Sequence, residues 1–370
     1  MKGAELAPRV EACCRFLREH ELAAAVVVSP ANMFYLTGMM LVPHERLAAV
    51  VVGVEGVLLL VLPELERERA LEFVQPGQVL SWRDGENPIT TLGNALRMLG
   101  LPSRVRLGVE KNSLTLALAD GLRGEFPSIE FTDLSSLFSR LRAVKSPEEV
   151  ECIRQACAIT VSALQENLPW IRPGLTELEV AARLDLSLRM AGATGTAFGT
   201  QVLSGVRSAL PHGQSSRKEI TRGDVVVIDV GGVFGGYCGD LTRTVVVGKA
   251  NHQDLEMHEL VALAGQRAIA TARAGVVARE VDRAARSVIE KAGYGSRFVH
   301  RTGHGVGIEV HEAPSLDGDN EQELQEGMVF TVEPGVYVPS WGGVRIEDVV
   351  VVTADGPQVL TEMGRDLITL

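Results

Sequence analysis

The sequence predicts an α+β protein in two parts, a smaller α/β domain over residues 1–142 and a larger α+β domain over 143–370. Three observations lead there. In the first part, short apolar runs alternate with helical patterns; at Ser146-Pro147 a strong helix start opens a long helix; beyond Gly192, glycine and threonine become frequent among extended apolar segments.

In the first part, AAAVVVS (23–29), LAAVVVG (47–53), VLLLVL (57–62), VRLGVE (105–110) and IEFTDL (129–134) read as strands, with ELERERALEFV, TTLGNALRML and LTLALADGL as helices between them. The opening MKGAELAPRVEACCRFLREHEL reads as an amphipathic helix. Acidic residues run through it, and it has neither the basic start nor the apolar run of a secretion signal, so the expected compartment is the cytoplasm. Ser146, Pro147 and Glu149 combine a capping hydroxyl, a proline suited to the first helical position and a carboxylate reaching back. A second capping box, Thr176 to Glu179, starts a helix expected to end at Gly192. DVVVIDVG, LTRTVVVG, MVFTVEPG and VRIEDVVVVT then read as strands, with two helices between Asp254 and Ala292.

The 370 residues are 46% hydrophobic, enough for a core in each part. No apolar run approaches the ~20 residues of a membrane span, so no membrane partner is expected. A net charge of −11 argues against a nucleic-acid surface, which needs clustered Lys and Arg. The five cysteines show no zinc-finger spacing and read as reduced, mostly buried thiols. Cys238, two residues before Asp240, has a functional setting, but inert packing is the reading taken for it.

Polar residues inside apolar strands are the informative anomaly, because a buried carboxylate is normally paired or metal-bound. Asp229 ends VVVID and Asp240 precedes LTRTVVV, with the glycine-rich GGVFGGYCG between them. A hairpin there brings both carboxylates to one point. Each alone reads more readily as a turn or cap than as a site. Glu333 lies in VFTVEPGVY, and in Val344-Arg345-Ile346-Glu347 strand alternation puts Arg345 and Glu347 on one face, leaving Asp348 for solvent or a salt bridge. HRTGHGVGIEVHEAP supplies His300, His304 and His311. Isolated histidines are commonly structural; three within twelve residues shift that balance. The spacing of Gly303, Gly305 and Gly307 is not that of a nucleotide-binding loop, and these glycines are expected to let backbone approach a metal or substrate. One imidazole with four carboxylates is an oxygen-rich set suited to manganese, cobalt or iron(II), with zinc compatible, and carboxylate-bridged metal pairs are suited to hydrolysis. The competing hydrolase motifs HExxH and GxSxG do not occur.

At these residues the sequence resembles the proline-peptidase branch of the pita-bread metallopeptidases, which includes prolidase and aminopeptidase P. HRTGHGVGIEVHE fits the branch's signature, RAVKSPEEVECIRQA its domain junction, and NMFYLTG (32–38) a segment of its N-terminal domain. The resemblance implies a pita-bread catalytic domain behind a creatinase/prolidase-type N-terminal domain. It implies two divalent metal ions, manganese foremost, on Asp229, Asp240, His304, Glu333 and Glu347, with Asp240 and Glu347 bridging. Glu333 would also take a proton from the attacking water. His212, in SGVRSALPHG, would contact substrate near the scissile bond, and His311 would stabilise developing charge and protonate the leaving nitrogen. His300 would line a proline pocket, and Arg345 would orient a carboxylate. The implied activity is Xaa-Pro dipeptidase in a cytoplasmic homodimer acting on short proline-containing peptides. Alternatives are an aminopeptidase P acting on longer peptides, a hydrolase of a small non-peptide C–N bond, and a non-catalytic binding protein.

Overall fold

The computed structural model describes residues 3–42, 44–101 and 104–370. It divides into two compact units, Met1–Leu141 and Arg142–Leu370.

In the first unit the opening helix runs Gly3–Glu19; Met1 and Lys2, part of the same expected helix, lie outside the described residues. The core element is a six-stranded mixed sheet in the order Val79–Trp82, Leu58–Pro63, Ala49–Gly53, Ala24–Val27, Arg104–Val109, Ser128–Asp133. Central strands are buried along their whole length, which explains their unbroken apolar sequence. Two local expectations are corrected. The helix expected at 64–74 is only a 3-10 turn, Glu64–Glu66, and one helical turn, Arg67–Ala70: of these seven residues Ala70 alone is buried, so no apolar stripe holds a longer helix. Val79–Trp82 is an unforeseen edge strand, too short and half-buried to show alternation.

The second unit repeats one arrangement twice: a helix pair followed by a sheet, antiparallel except where Ile368–Thr369 pairs parallel with Leu241–Val246. Helices Pro147–Asn167 and Glu177–Met190 carry both expected capping boxes. Each box satisfies helix-end N–H groups that would otherwise lack partners. These helices share a core with the sheet ordered Ile368–Thr369, Leu241–Val246, Val225–Val230, Gln201–Ser204. Helices His252–Thr271 and Ala278–Lys291 back the five-stranded sheet ordered Glu312–Leu316, Gly303–Gly305, Val329–Val332, Asp348–Thr353, Gly356–Val359. A ribbon of Gly335–Val338 and Gly342–Arg345 accompanies it.

Candidate active site

Strand alternation builds the site. In Val225–Val230 the side chains of Val226, Ile228 and Val230 enter the first helix pair's core, so Asp229 points to the other face. Antiparallel pairing sets Thr242 directly across from Asp229, and Asp240 lies two residues before Thr242 on that same face. The glycine-rich segment between the carboxylates folds back as the hairpin Gly232–Phe234 and Tyr237–Cys238. In the second sheet Phe330 and Val332 fill the core, which turns Glu333 outward just past the strand. The Glu333 N–H donates to Thr302 O at 2.8 Å, tying it to the strand of His304. Glu347 sits in the break between Gly342–Arg345 and Asp348–Thr353, its N–H donating to Thr242 O at 3.1 Å.

The two sheets thereby meet at one cavity of about 350 Å³. Asp229, Asp240, His304, Glu333, Glu347, His212, His300, His311 and Arg345 all line it, with Arg301 beside them. Asp348 does not: it is buried in ion pairs with Arg243 and Arg365.

The side-chain chemistry suits cations. Ligating atoms of Asp240, His304 and Glu347 lie within 4.8 Å of one another. Asp229 Oδ1 is buried with no hydrogen-bond partner among the described residues. Burial, then the neighbouring Glu347 and Asp229, pushes the Asp240 carboxyl well above its usual range; burial, then Glu333 and Asp229, does the same to Glu347. Glu333 is pushed up to about 7, chiefly by burial, although Arg345 opposes the shift. His304 is pushed down to about 3 by burial and by His311, so its ring is neutral at pH 7. Its Nδ1 lies 3.2 Å from Gly305 O, which assigns the proton there and leaves the Nε2 lone pair facing Glu333 Oε1 at 3.3 Å and Asp240 Oδ2 at 3.9 Å. A lone pair facing carboxylate oxygens is relieved by a metal cation, so the residues present fit a divalent ion.

A hydrogen-bond chain orders the wall behind these groups. Arg345 Nη2 donates to Asp229 Oδ2 at 2.6 Å, Nε to Thr242 Oγ1 at 3.1 Å and Nη1 to Tyr337 Oη at 3.1 Å. Thr242 Oγ1 in turn donates to Glu347 Oε2 at 2.6 Å. His300 Nδ1 donates to Arg301 O at 2.7 Å, so its Nε2 accepts from Tyr337 at 2.9 Å; burial pushes this ring's pKa down to about 4. Tyr337 and Thr242 carry no signal in the sequence, since both read as ordinary strand residues. Asp282, also unforeseen, accepts from Thr302 N–H and Oγ1 and pairs with Arg286, which donates to His300 O.

The reading of the glycines is corrected. A Cβ at Gly303 would fall 1.9 Å from Thr331 O and one at Gly305 2.1 Å from Ala313 O. They admit the neighbouring strands, not a metal or substrate.

Metallopeptidase family M24 matches residues 151–354, and the creatinase/prolidase N-terminal domain matches residues 9–144. The chain belongs to metallopeptidase family M24. An Xaa-Pro dipeptidase of Pyrococcus furiosus is 38% identical to this M24 chain over 360 residues, 97% of this chain and 99% of that protein. Among solved structures, a dipeptidase from Pyrococcus horikoshii OT3 matches with a TM-score of 0.91 at 38% identity, covering 98% of this chain and 100% of the other. An X-Pro aminopeptidase from Thermotoga maritima MSB8 matches at 0.89 and 33% identity, covering 98% and 99%. The M24 chain is therefore a metal-dependent hydrolase with the pita-bread catalytic fold, and M24 membership implies divalent metal ions.

Proposed function

We propose that this M24 enzyme is an Xaa-Pro dipeptidase that holds two divalent cations on Asp229, Asp240, His304, Glu333 and Glu347. The observation that carries the metal assignment is the buried carboxylate cluster: Asp240 and Glu347 resist ionisation unless positive charge joins them. Dipeptide specificity is supported by 38% identity across almost the whole of an Xaa-Pro dipeptidase. Manganese is the proposed ion, because an oxygen-rich set with one imidazole suits it.

When bound, the cations supply a Lewis acid for the scissile carbonyl and lower the pKa of water. The protein's own groups do the rest. Glu333, on the cavity wall beside the other proposed ligands, is the carboxylate proposed to accept a proton from the attacking water and return it. His311 has its pKa lowered by burial, then by Arg301 and His212, so it is neutral and offers an N–H to an oxygen gaining charge. A prolyl nitrogen has no N–H and must gain a proton to leave; the proton proposed for it is the one Glu333 takes from the attacking water, passed along the cavity wall by His212 and His311. Arg345 is engaged by Asp229, Thr242 and Tyr337 and orients that carboxylate, with His300 at the proline end of the wall. Among the described residues the Arg301 side chain donates only to Ser315 Oγ, at 3.4 Å, and it is the cation proposed to meet the dipeptide's terminal carboxylate.

A second reading, aminopeptidase P activity on longer peptides, is favoured by the 0.89 TM-score to an X-Pro aminopeptidase. Turnover of Ala-Pro against Ala-Pro-Ala decides: dipeptide preference supports the first reading, and strong tripeptide preference overturns it. We also propose a cytoplasmic homodimer. Leu186 and Met190, 61% and 80% exposed one helical turn apart, offer apolar contact area, and sedimentation tests it.

A further inference from the structure

Two cations, Arg142 and Lys145, are buried at the head of the second unit, their side chains 9% and 1% exposed. A buried charge needs a partner. Both turn to one carboxylate, Glu312, itself 4% exposed: Arg142 Nη2 donates to Oε1, and Lys145 Nζ lies 3.4 Å from Oε2. Oε1 also accepts the Glu309 N–H at 2.9 Å. Gly307 packs so tightly that a Cβ there would fall 2.5 Å from Oε2. Residues 307–312 are therefore wrapped around the Glu312 carboxylate.

The anchor is itself fixed to the sheet that carries His304. Lys145 N–H donates to Gly327 O at 2.9 Å and Val144 bridges Met328, the residue before strand Val329–Val332. Burial raises the Glu312 carboxyl, but Lys145 and Arg142 together hold it below its usual range, so it stays charged. Buried ion pairs seldom add net stability over apolar residues of the same volume. What two cations on two different oxygens supply is direction: they fix the plane of the carboxylate. The preceding residue is His311, exposed on the cavity wall and edge-on to His304 with ring centroids 4.3 Å apart.

We propose that Glu312, gripped by Arg142 and Lys145, is the positioning residue that sets His311 over the cavity. The task given to His311 rests on the proposed peptidase reading; the grip on residues 307–312 does not.

Two readouts test it. In metal-loaded enzyme with Ala-Pro as substrate, Glu312→Gln should lower kcat by up to about 100-fold with KM little changed, because its amide NH₂ must face one of the two cations. His311→Ala should lower kcat as well, and the double variant should be no slower than His311→Ala alone. Glu309→Gln, which removes Arg142's exposed partner, should keep kcat. In metal-free protein, amide hydrogen exchange over 307–312 should quicken in Glu312→Gln while the rest of the chain is unchanged. Independent, multiplying losses in the double variant would overturn the action through His311, and unchanged exchange would overturn the grip. Wild-type protein that leaves Ala-Pro intact would sink the peptidase reading, and exchange would still decide the grip. Should Glu312→Gln not fold, Lys145→Met with Glu312→Gln removes a cation together with the carboxylate and is read in the same two ways.

Discussion

Arg345 Nη2 lies 2.6 Å from Asp229 Oδ2, and both side chains are buried on the cavity wall. Burial works against the guanidinium's charge, yet Tyr337, Asp229 and Glu347 hold it well above its usual range. One planar group thereby ties Asp229 from one sheet to Thr242, and through Thr242 to Glu347.

Lysine at position 345 keeps a charge but loses the fork. Arg345→Lys should therefore cut kcat by about 10- to 100-fold, the usual effect of losing a partner that orients a metal ligand. Arg345→Met leaves Asp229 uncompensated and should also lower stability by about 3–5 kcal/mol in metal-free protein. Kinetics with thermal melting of both variants checks this; wild-type kcat in Arg345→Lys would contradict it.

Asp240 belongs to the proposed ligand set and is crowded by Glu347, Asp229 and Glu333. Asp240→Asn should reduce bound metal and abolish measurable hydrolysis, while the metal-free variant melts at or above the wild-type temperature because one repelling carboxylate is gone. Elemental analysis and melting curves read the two effects separately. Full activity in Asp240→Asn would remove the two-metal account.

His258, buried on helix His252–Thr271, has its pKa pushed from 6.5 to about 4, mainly by burial and then by Arg243. Between those values the unfolded chain binds the proton and the folded one does not, so stability falls as pH falls. The contribution is present in full above 6.5 and gone below about 4, on the order of 3 kcal/mol across that window. Denaturant melts of His258→Gln should show a correspondingly smaller loss between pH 7 and pH 4 than wild type. Equal losses would mean that His258 titrates alike in both states.

The candidate site was legible where a residue is out of place in its own strand: Asp229 at the end of VVVID, Glu333 after VFTV, three histidines among glycines. Asp348 was read in part, as a salt-bridge residue, though its burial was not foreseen. Tyr337 and Thr242 stayed hidden because aromatic and β-branched residues are what strands ordinarily contain. Their importance comes from partners 8 and 105 positions away. Gly303 and Gly305 were misread for the same reason, since the atoms they make room for belong to distant strands. Helix caps were read correctly at Ser146 and Thr176, where the whole interaction spans three residues.

The most direct measurement is hydrolysis of Ala-Pro and Ala-Ala by metal-stripped protein, with manganese, cobalt or zinc returned in turn. The account predicts no cleavage without metal, cleavage of Ala-Pro on adding manganese, and Ala-Ala left intact. Cleavage of Ala-Pro by protein shown to be free of metal, or no cleavage with any of the ions, would contradict it.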